Sequence, residues 1–138
     1  MYKRQEGAGA IVLSRTAGSV SYEISGGPIL EVYENRHEIV PCLRNVLGKL
    51  SSKRAPSVIA SSASGSPLDD CEGIAISNIF AKSPVIHPKR TFGESMTAAT
   101  IMQVIAVCNW LLQSGEQDAV VTSVGFGGHV GALRLTRE

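Results

Sequence analysis

Two periodicities organise the apolar positions of this chain. Val20, Tyr22 and Ile24 alternate with Ser21 and Glu23, which predicts a strand over 19–25 ended by a turn at Gly26-Gly27-Pro28. A small, apolar run over 8–14 predicts another strand before it. Ile39, Leu43, Val46, Leu47 and Leu50 then recur at helical spacing, with Pro41 tolerable in the first turn. Lys49, Lys53 and Arg54 stand in the last turn and just beyond, where cations suit the helix dipole. A short apolar strand is expected over 57–60, a serine-rich loop over 61–67, and a helix from Asp69 to about Phe80 with acids in its first turn. A short strand over 84–86, an apolar helix over 97–112, a β-branched strand over 119–124, a tight Gly125-Phe126-Gly127-Gly128 loop and a closing strand over 132–136 complete the chain. The order β-β-α-β-α-β-α-β-β is mixed α/β, with no internal repeat and no second domain.

The helix over 97–112 is apolar on nearly every side, so protein is expected to enclose most of it. A chain of 138 residues with few other helices has little material to do so, and something outside it is expected to supply the cover. The stretch is too short for a membrane span, which needs roughly 20 mostly apolar residues, and it contains Gln103 and Asn109.

Composition narrows the classes further. Apolar residues are 43% of the chain, enough for a packed core, so bulk disorder is excluded. Thirteen Lys and Arg against 12 Asp and Glu leave no basic excess, which disfavours nucleic acid as a partner. Cys42, Cys71 and Cys108 are odd in number and widely spaced, which fits buried reduced thiols in a cytoplasmic protein better than a disulfide framework or a zinc site. The polar, charged amino terminus is no secretory signal. Residues 1–5 do not match the strand pattern after them: Glu6 leads straight into a strand, and Met-Tyr-Lys-Arg-Gln resembles a translated sequencing adapter. They are expected to be a non-native leader on a reading frame cut short at its 5′ end, with the natural domain occupying 6–138. Without Lys3 and Arg4, 11 basic residues face 12 acidic ones, a net charge of −1.

The candidate chemistry is sparse when taken residue by residue. The glycine loop over 125–131 fails as a dinucleotide-binding turn, because the third glycine of G-x-G-x-x-G falls on Val130 and a strand comes next. Its glycines still require a close backbone approach or positive φ. Ser61, Ser62, Ser64 and Ser66 form no nucleophile elbow. His37, His87 and His129 share no metal-ligand spacing with acids or thiols, and Lys89 and Arg90 read as a solvated pair.

Segments in a particular order change this picture. Glu6-Gly7-Ala8-Gly9 resembles the E-G-A-G strand of β-ketoacyl-acyl-carrier-protein synthases, the ketosynthases. Ser61-Ser62-Ala63-Ser64-Gly65-Ser66-Pro67 with Asp70 resembles their A-H-G-T-x-T-P-x-x-D loop. Lys89 to Ala99 resembles K-x-x-x-G-H-x-x-G-A-A, and Ser123-Val124-Gly125-Phe126-Gly127-Gly128 resembles the closing S-F-G-F-G-G. The resemblance covers nearly all of 6–138 and implies the carboxy-terminal half of a thiolase-like fold: a mixed five-stranded sheet with a buried apolar helix. The family's nucleophilic cysteine belongs to the other half, and none of the three cysteines here matches it.

The resemblance also implies a chemistry and shows where it is altered. Ketosynthases join an acyl chain, held as a cysteine thioester, to a malonyl unit carried by acyl carrier protein. Two histidines donate hydrogen bonds to the enolate oxygen formed as CO₂ leaves, and such donors are worth ~2.7–4 kcal/mol each. Here the first histidine falls on Ser62 (or Ser61, since the next helix is about one residue shorter than the family's) and the second on Glu94. A hydroxyl at the first position is still able to donate. An ionised Glu94 is not, and at ~4 Å and an effective dielectric of ~20 it would oppose a malonyl carboxylate by about 4 kcal/mol. A protonated Glu94 would escape this penalty but would need strong burial. Lys89 matches the family lysine that helps hold the site's hydrogen bonds; Phe126 matches the phenylalanine that gates the acyl chain; Gly125, Gly127 and Gly128 keep the turn, while His129 and Val130 replace Thr-Asn.

Fold signals kept while charge-stabilising groups are lost resemble the chain-length-factor subunits of type II polyketide and aryl-polyene systems. The expectation is therefore a non-catalytic, tunnel-shaping partner of an active ketosynthase, working with acyl carrier protein in fatty acid or polyketide synthesis, needing no cofactor and meeting no nucleic acid or membrane. The alternative is a divergent but active 3-oxoacyl-acyl-carrier-protein synthase. Lys49, Lys53 and Arg54 are candidates for an acyl-carrier-protein docking patch, although a solvated helix end is the simpler reading.

Overall fold

The computed structural model describes residues 21–51, 54–94 and 98–137. Its elements are β1 (Tyr22–Val32), a 3₁₀ turn (Arg36–Glu38), α1 (Ile39–Leu50), β2 (Val58–Ala60), α2 (Asp69–Ile79), β3 (Val85–Ile86), α3 (Pro88–Phe92), α4 (Ala99–Ser114), β4 (Asp118–Gly125) and β5 (His129–Arg137). The strands form one sheet in the order β1-β5-β4-β2-β3. β2 runs parallel to β3 and β4, whereas β5 is antiparallel to both β1 and β4. The sheet is thus mixed and five-stranded, as the resemblance implied.

Alternation along the strands divides the core into two layers. Ile59, Val120, Val130 and Ala132 face α1 and α2 and pack with Ile39, Leu43, Val46, Leu47, Ala75, Ile76 and Phe80. Val58, Ala60, Ala119, Val121 and Leu135 face the other way and pack with Val104, Val107 and Leu111 of α4. The period of α1 places all five of its predicted apolar residues in the first layer.

Several expectations change against this frame. The strand over 8–14 and the leader lie outside the described residues. The turn expected at 26–28 is absent: β1 continues to Val32, with register shifts between Ile24 and Gly26 and between Gly26 and Ile29. A Cβ on Gly26 would lie 3.0 Å from Leu50 Cδ2, and one on Gly27, at φ +82°, 2.9 Å from the Ala132 carbonyl oxygen. The glycines let the strand bulge against β5 rather than reverse. The 3₁₀ turn and α3 went unread in the sequence; Glu38 closes the former by accepting the Glu34 and Asn35 N–H groups, which lowers its pKa below 4.5. The three thiols are unpaired and partly exposed rather than fully buried, and burial raises the pKa of Cys108 above 9.0.

Among the described residues, α4 is covered on the side that faces the sheet. Gln103, Val104, Val107 and Leu111 are buried on the sheet, while Ile101, Ile105 and Leu112 are 37%, 43% and 45% exposed. Gly115, at φ 74°, ends the helix, its N–H returning to the Leu111 carbonyl. Among the described residues no helix is long and apolar enough to cross a membrane.

Candidate functional site

β2 ends at Ala60, opposite Val121 of the parallel strand β4, and a serine-rich loop begins beyond it. That is where open α/β sheets ordinarily form their ligand crevices. A cavity of about 440 Å³ lies there, bounded by the serine loop, the first turns of α2 and α4, Lys89 and Glu94, and the β4–β5 hairpin. Ser62, Lys89, Glu94, Gly125, Phe126 and Gly127 all line it. Gly128 is not among the lining residues; its φ of +84° closes the hairpin, and a Cβ there would lie 2.9 Å from the Tyr33 carbonyl oxygen. Ser61 lines a different cavity, so of these two serines Ser62 is the one that reaches this one.

The organising group of the wall is Glu72, which the sequence reading did not single out. Its carboxylate is buried and accepts the Ser61 hydroxyl at 2.8 Å, the Ser62 N–H at 2.8 Å, the Ser62 hydroxyl at 2.9 Å and the Thr122 hydroxyl. Ser62 Oγ in turn accepts the Val124 N–H at 3.0 Å. A hydroxyl carries one proton, so Ser62 has none left for the cavity. The expectation of a free serine donor is thereby corrected. A sequence signal existed: Glu72, Ala75 and Ile76 share one face of α2, and a carboxylate on that buried face requires partners.

Glu94 corrects a second expectation. Its Oε2 is 2.8 Å from Lys89 Nζ, and both side chains are about nine-tenths buried. The carboxylate that would repel an incoming anion is engaged by an ammonium group, so the full like-charge penalty does not apply. The cavity as a whole still holds three carboxylates, Asp69, Glu72 and Glu94, against Lys89, a formal balance of −2 with His129 neutral. Asp69 is occupied in shaping the serine loop: it accepts the Ser64 and Gly65 N–H groups and the Ser66 hydroxyl.

The hairpin is held from both strands and from β1. Gly125 pairs with His129 across the ladder, and the Gly128 N–H returns to the Gly125 carbonyl at 3.3 Å. Tyr33 brackets the same loop, its N–H on the Gly128 carbonyl at 2.8 Å and its hydroxyl on the Gly125 carbonyl at 2.6 Å. Burial and the neighbouring Cys71 thiol raise the Tyr33 pKa above 10.0, which keeps its proton in that bond. Phe126 projects from the loop at the cavity mouth, 63% exposed.

No protein-family model matches the sequence, and neither does any curated protein. Solved structures do match. One is a PfaC ketosynthase–chain length factor, at 18% identity and TM-score 0.63 over 78% of this chain and 12% of that one. Another is the type II polyketide synthase complex AntDE:AntF, an acyl-carrier protein with its ketosynthase bound to the hexaketide, at 14% and 0.66 over 80% of this chain and 32% of that one. A third is an acetyl-CoA acetyltransferase of Bacillus anthracis, at 12% and 0.58 over 85% of this chain and 30% of that one. The chain has a thiolase-like fold. It spans a third or less of each of these three chains.

Within the thiolase-like fold, three of the motif segments converge on one cavity from positions as far apart as Ser62 and Gly127; the Glu6–Gly9 segment lies outside the described residues. Of the suggested docking cations, Lys49 is half-exposed and pairs with Glu31 at 3.0 Å, and Lys53 lies outside the described residues. Among the described residues no His, Cys, Asp and Glu group has the arrangement of a metal site.

Proposed function

We propose that this chain is the carboxy-terminal half of a ketosynthase-type protein that acts as a non-catalytic, chain-length-factor-type partner of an active ketosynthase. In this reading it shapes the acyl tunnel, works with acyl carrier protein in the cytoplasm, and serves polyketide, fatty acid or aryl-polyene synthesis. One observation carries the proposal: neither position expected to hold an imidazole donor offers a free one to the cavity. The Ser62 proton goes to Glu72, and Glu94 is tied to Lys89. The formal −2 balance of the lining further disfavours a malonyl carboxylate.

The test is condensation by the complete natural protein. Alone, with malonyl-acyl carrier protein and an acyl thioester, it should give no 3-oxoacyl product; with its companion ketosynthase, product length should depend on it. Glu94→His alone should restore nothing, since Ser62 remains committed. Condensation at ordinary rates by the unaccompanied protein would overturn the proposal in favour of a divergent active synthase. One observation favours that second reading: an imidazole, that of His129, does line the cavity.

A further inference from the structure

Most polar side chains of the cavity wall bond to one another. Lys89 and Glu94 bond to each other, and Ser62 and Glu72 do likewise. Asp69 and Ser66 are joined within the serine loop, and Thr100 meets Ser123 at 3.5 Å. Among the described lining side chains, the Ser64 hydroxyl and the His129 imidazole are the polar groups without a bond into the wall. His37 is on the remote 3₁₀ turn, and His87 lines other cavities. His129 is the one histidine that reaches this lumen.

Its position is built by the strand pair. Gly125 and His129 are opposite one another on the face that looks toward α4, and the ring lies where a Gly125 side chain would be. A Cβ on Gly125 would come within 2.6 Å of His129 Nε2. Any larger residue at 125 would therefore displace the imidazole. Leu68, Ala99, Val124 and Phe126 supply apolar surface in the same cavity.

We propose that His129 is the ligand-recognition residue of this cavity and donates a hydrogen bond to a carbonyl oxygen of an uncharged acyl ligand. A neutral imidazole always carries one N–H donor, and a neutral acceptor escapes the repulsion that the three lining carboxylates impose on an anion. The apolar lining suits the rest of an acyl chain. The inference rests on the acyl-cavity reading above and adds the residue that distinguishes a carbonyl-bearing chain from a plain one.

Two probes test it on the complete natural protein by titration calorimetry. One is an amide-linked 3-oxooctanoyl pantetheine; the other is S-octyl pantetheine, which lacks both acyl carbonyls. His129→Ala should weaken the oxo probe by fivefold to tenfold, roughly the worth of one hydrogen bond, and leave the octyl probe within about twofold. His129→Gln, which restores an N–H donor, should recover part of the loss. The His129 ring ¹⁵N resonances should move with the oxo probe and stay still with the octyl probe. Thermal unfolding of each variant controls for folding. Equal weakening of both probes, weakening of neither, or an unmoved ring would overturn the assignment while leaving the acyl cavity intact. Failure of the wild-type protein to bind either probe would overturn both.

Discussion

Glu72 is the residue on which the cavity wall depends most. A carboxylate at 1% exposure is tolerable because three hydroxyls and an amide point at it. Glu72→Ala removes the acceptor but leaves Ser61, Ser62 and Thr122 in place, and each orphaned buried donor costs about 1–3 kcal/mol. With some rearrangement toward Ala60, whose carbonyl lies 3.2 Å from Thr122 Oγ1, the net loss expected is about 3 kcal/mol in a urea unfolding titration. A loss below about 1 kcal/mol would mean that the network is not holding the wall. This residue shows why the site was only half legible in the sequence. Ser62, Glu94 and Glu94's partner Lys89 stand at motif positions; Glu72 does not, and the groups that complete its network are remote in sequence, Thr122 being 50 positions from Glu72 and the Val124 amide 62 from Ser62. The helix dipole accounts for the position of the α2 acids along the helix and is silent about the face each one occupies.

At the scale of elements, periodicity carried the prediction wherever a single face is buried. The five apolar positions of α1 and the β-branched run of β4 were legible because burial imposes their spacing. β1 was misread because Gly26-Gly27-Pro28 has the composition of a turn, whereas β5 supplies the partner that keeps the strand going. Local chemistry proposed a reversal and a tertiary ladder overrode it. The same β1 delivers Tyr33 to the Gly125–Gly128 hairpin, a connection no motif suggests. Tyr33→Phe keeps the ring and removes the 2.6 Å bond to the Gly125 carbonyl. Hydrogen exchange at 126–128 should speed up several-fold, with protection in α1 and β4 unchanged, because the surviving Tyr33 N–H bond still anchors Gly128. Unchanged exchange in the loop would show that the hydroxyl contributes nothing to its order.

Among the described residues, the sheet carries two helices, α1 and α2, on one face and α4 on the other. On the first, α1 and α2 cover β2, β4 and β5 with a continuous apolar layer. On the second, α4 packs on the sheet with the short α3 beside it, and Ile101, Ile105 and Leu112 remain partly exposed. Exposed apolar residues are ordinary when single, but three on one helix form a stripe that water does not favour. The all-round apolar character of this helix is plain in the sequence; among the described residues nothing covers Ile101, Ile105 and Leu112 fully. The consequence can be measured. Ile101→Lys with Ile105→Lys should leave the thermal midpoint of the isolated chain nearly unchanged, since both positions are more than one-third exposed, and should reduce its self-association in sedimentation velocity. In the longer ketosynthase-type protein proposed above, the same pair should be strongly destabilising, because two ammonium groups would enter an apolar contact without partners. If the double variant is tolerated equally in both settings, the outer face of α4 meets solvent, and no further layer packs on it.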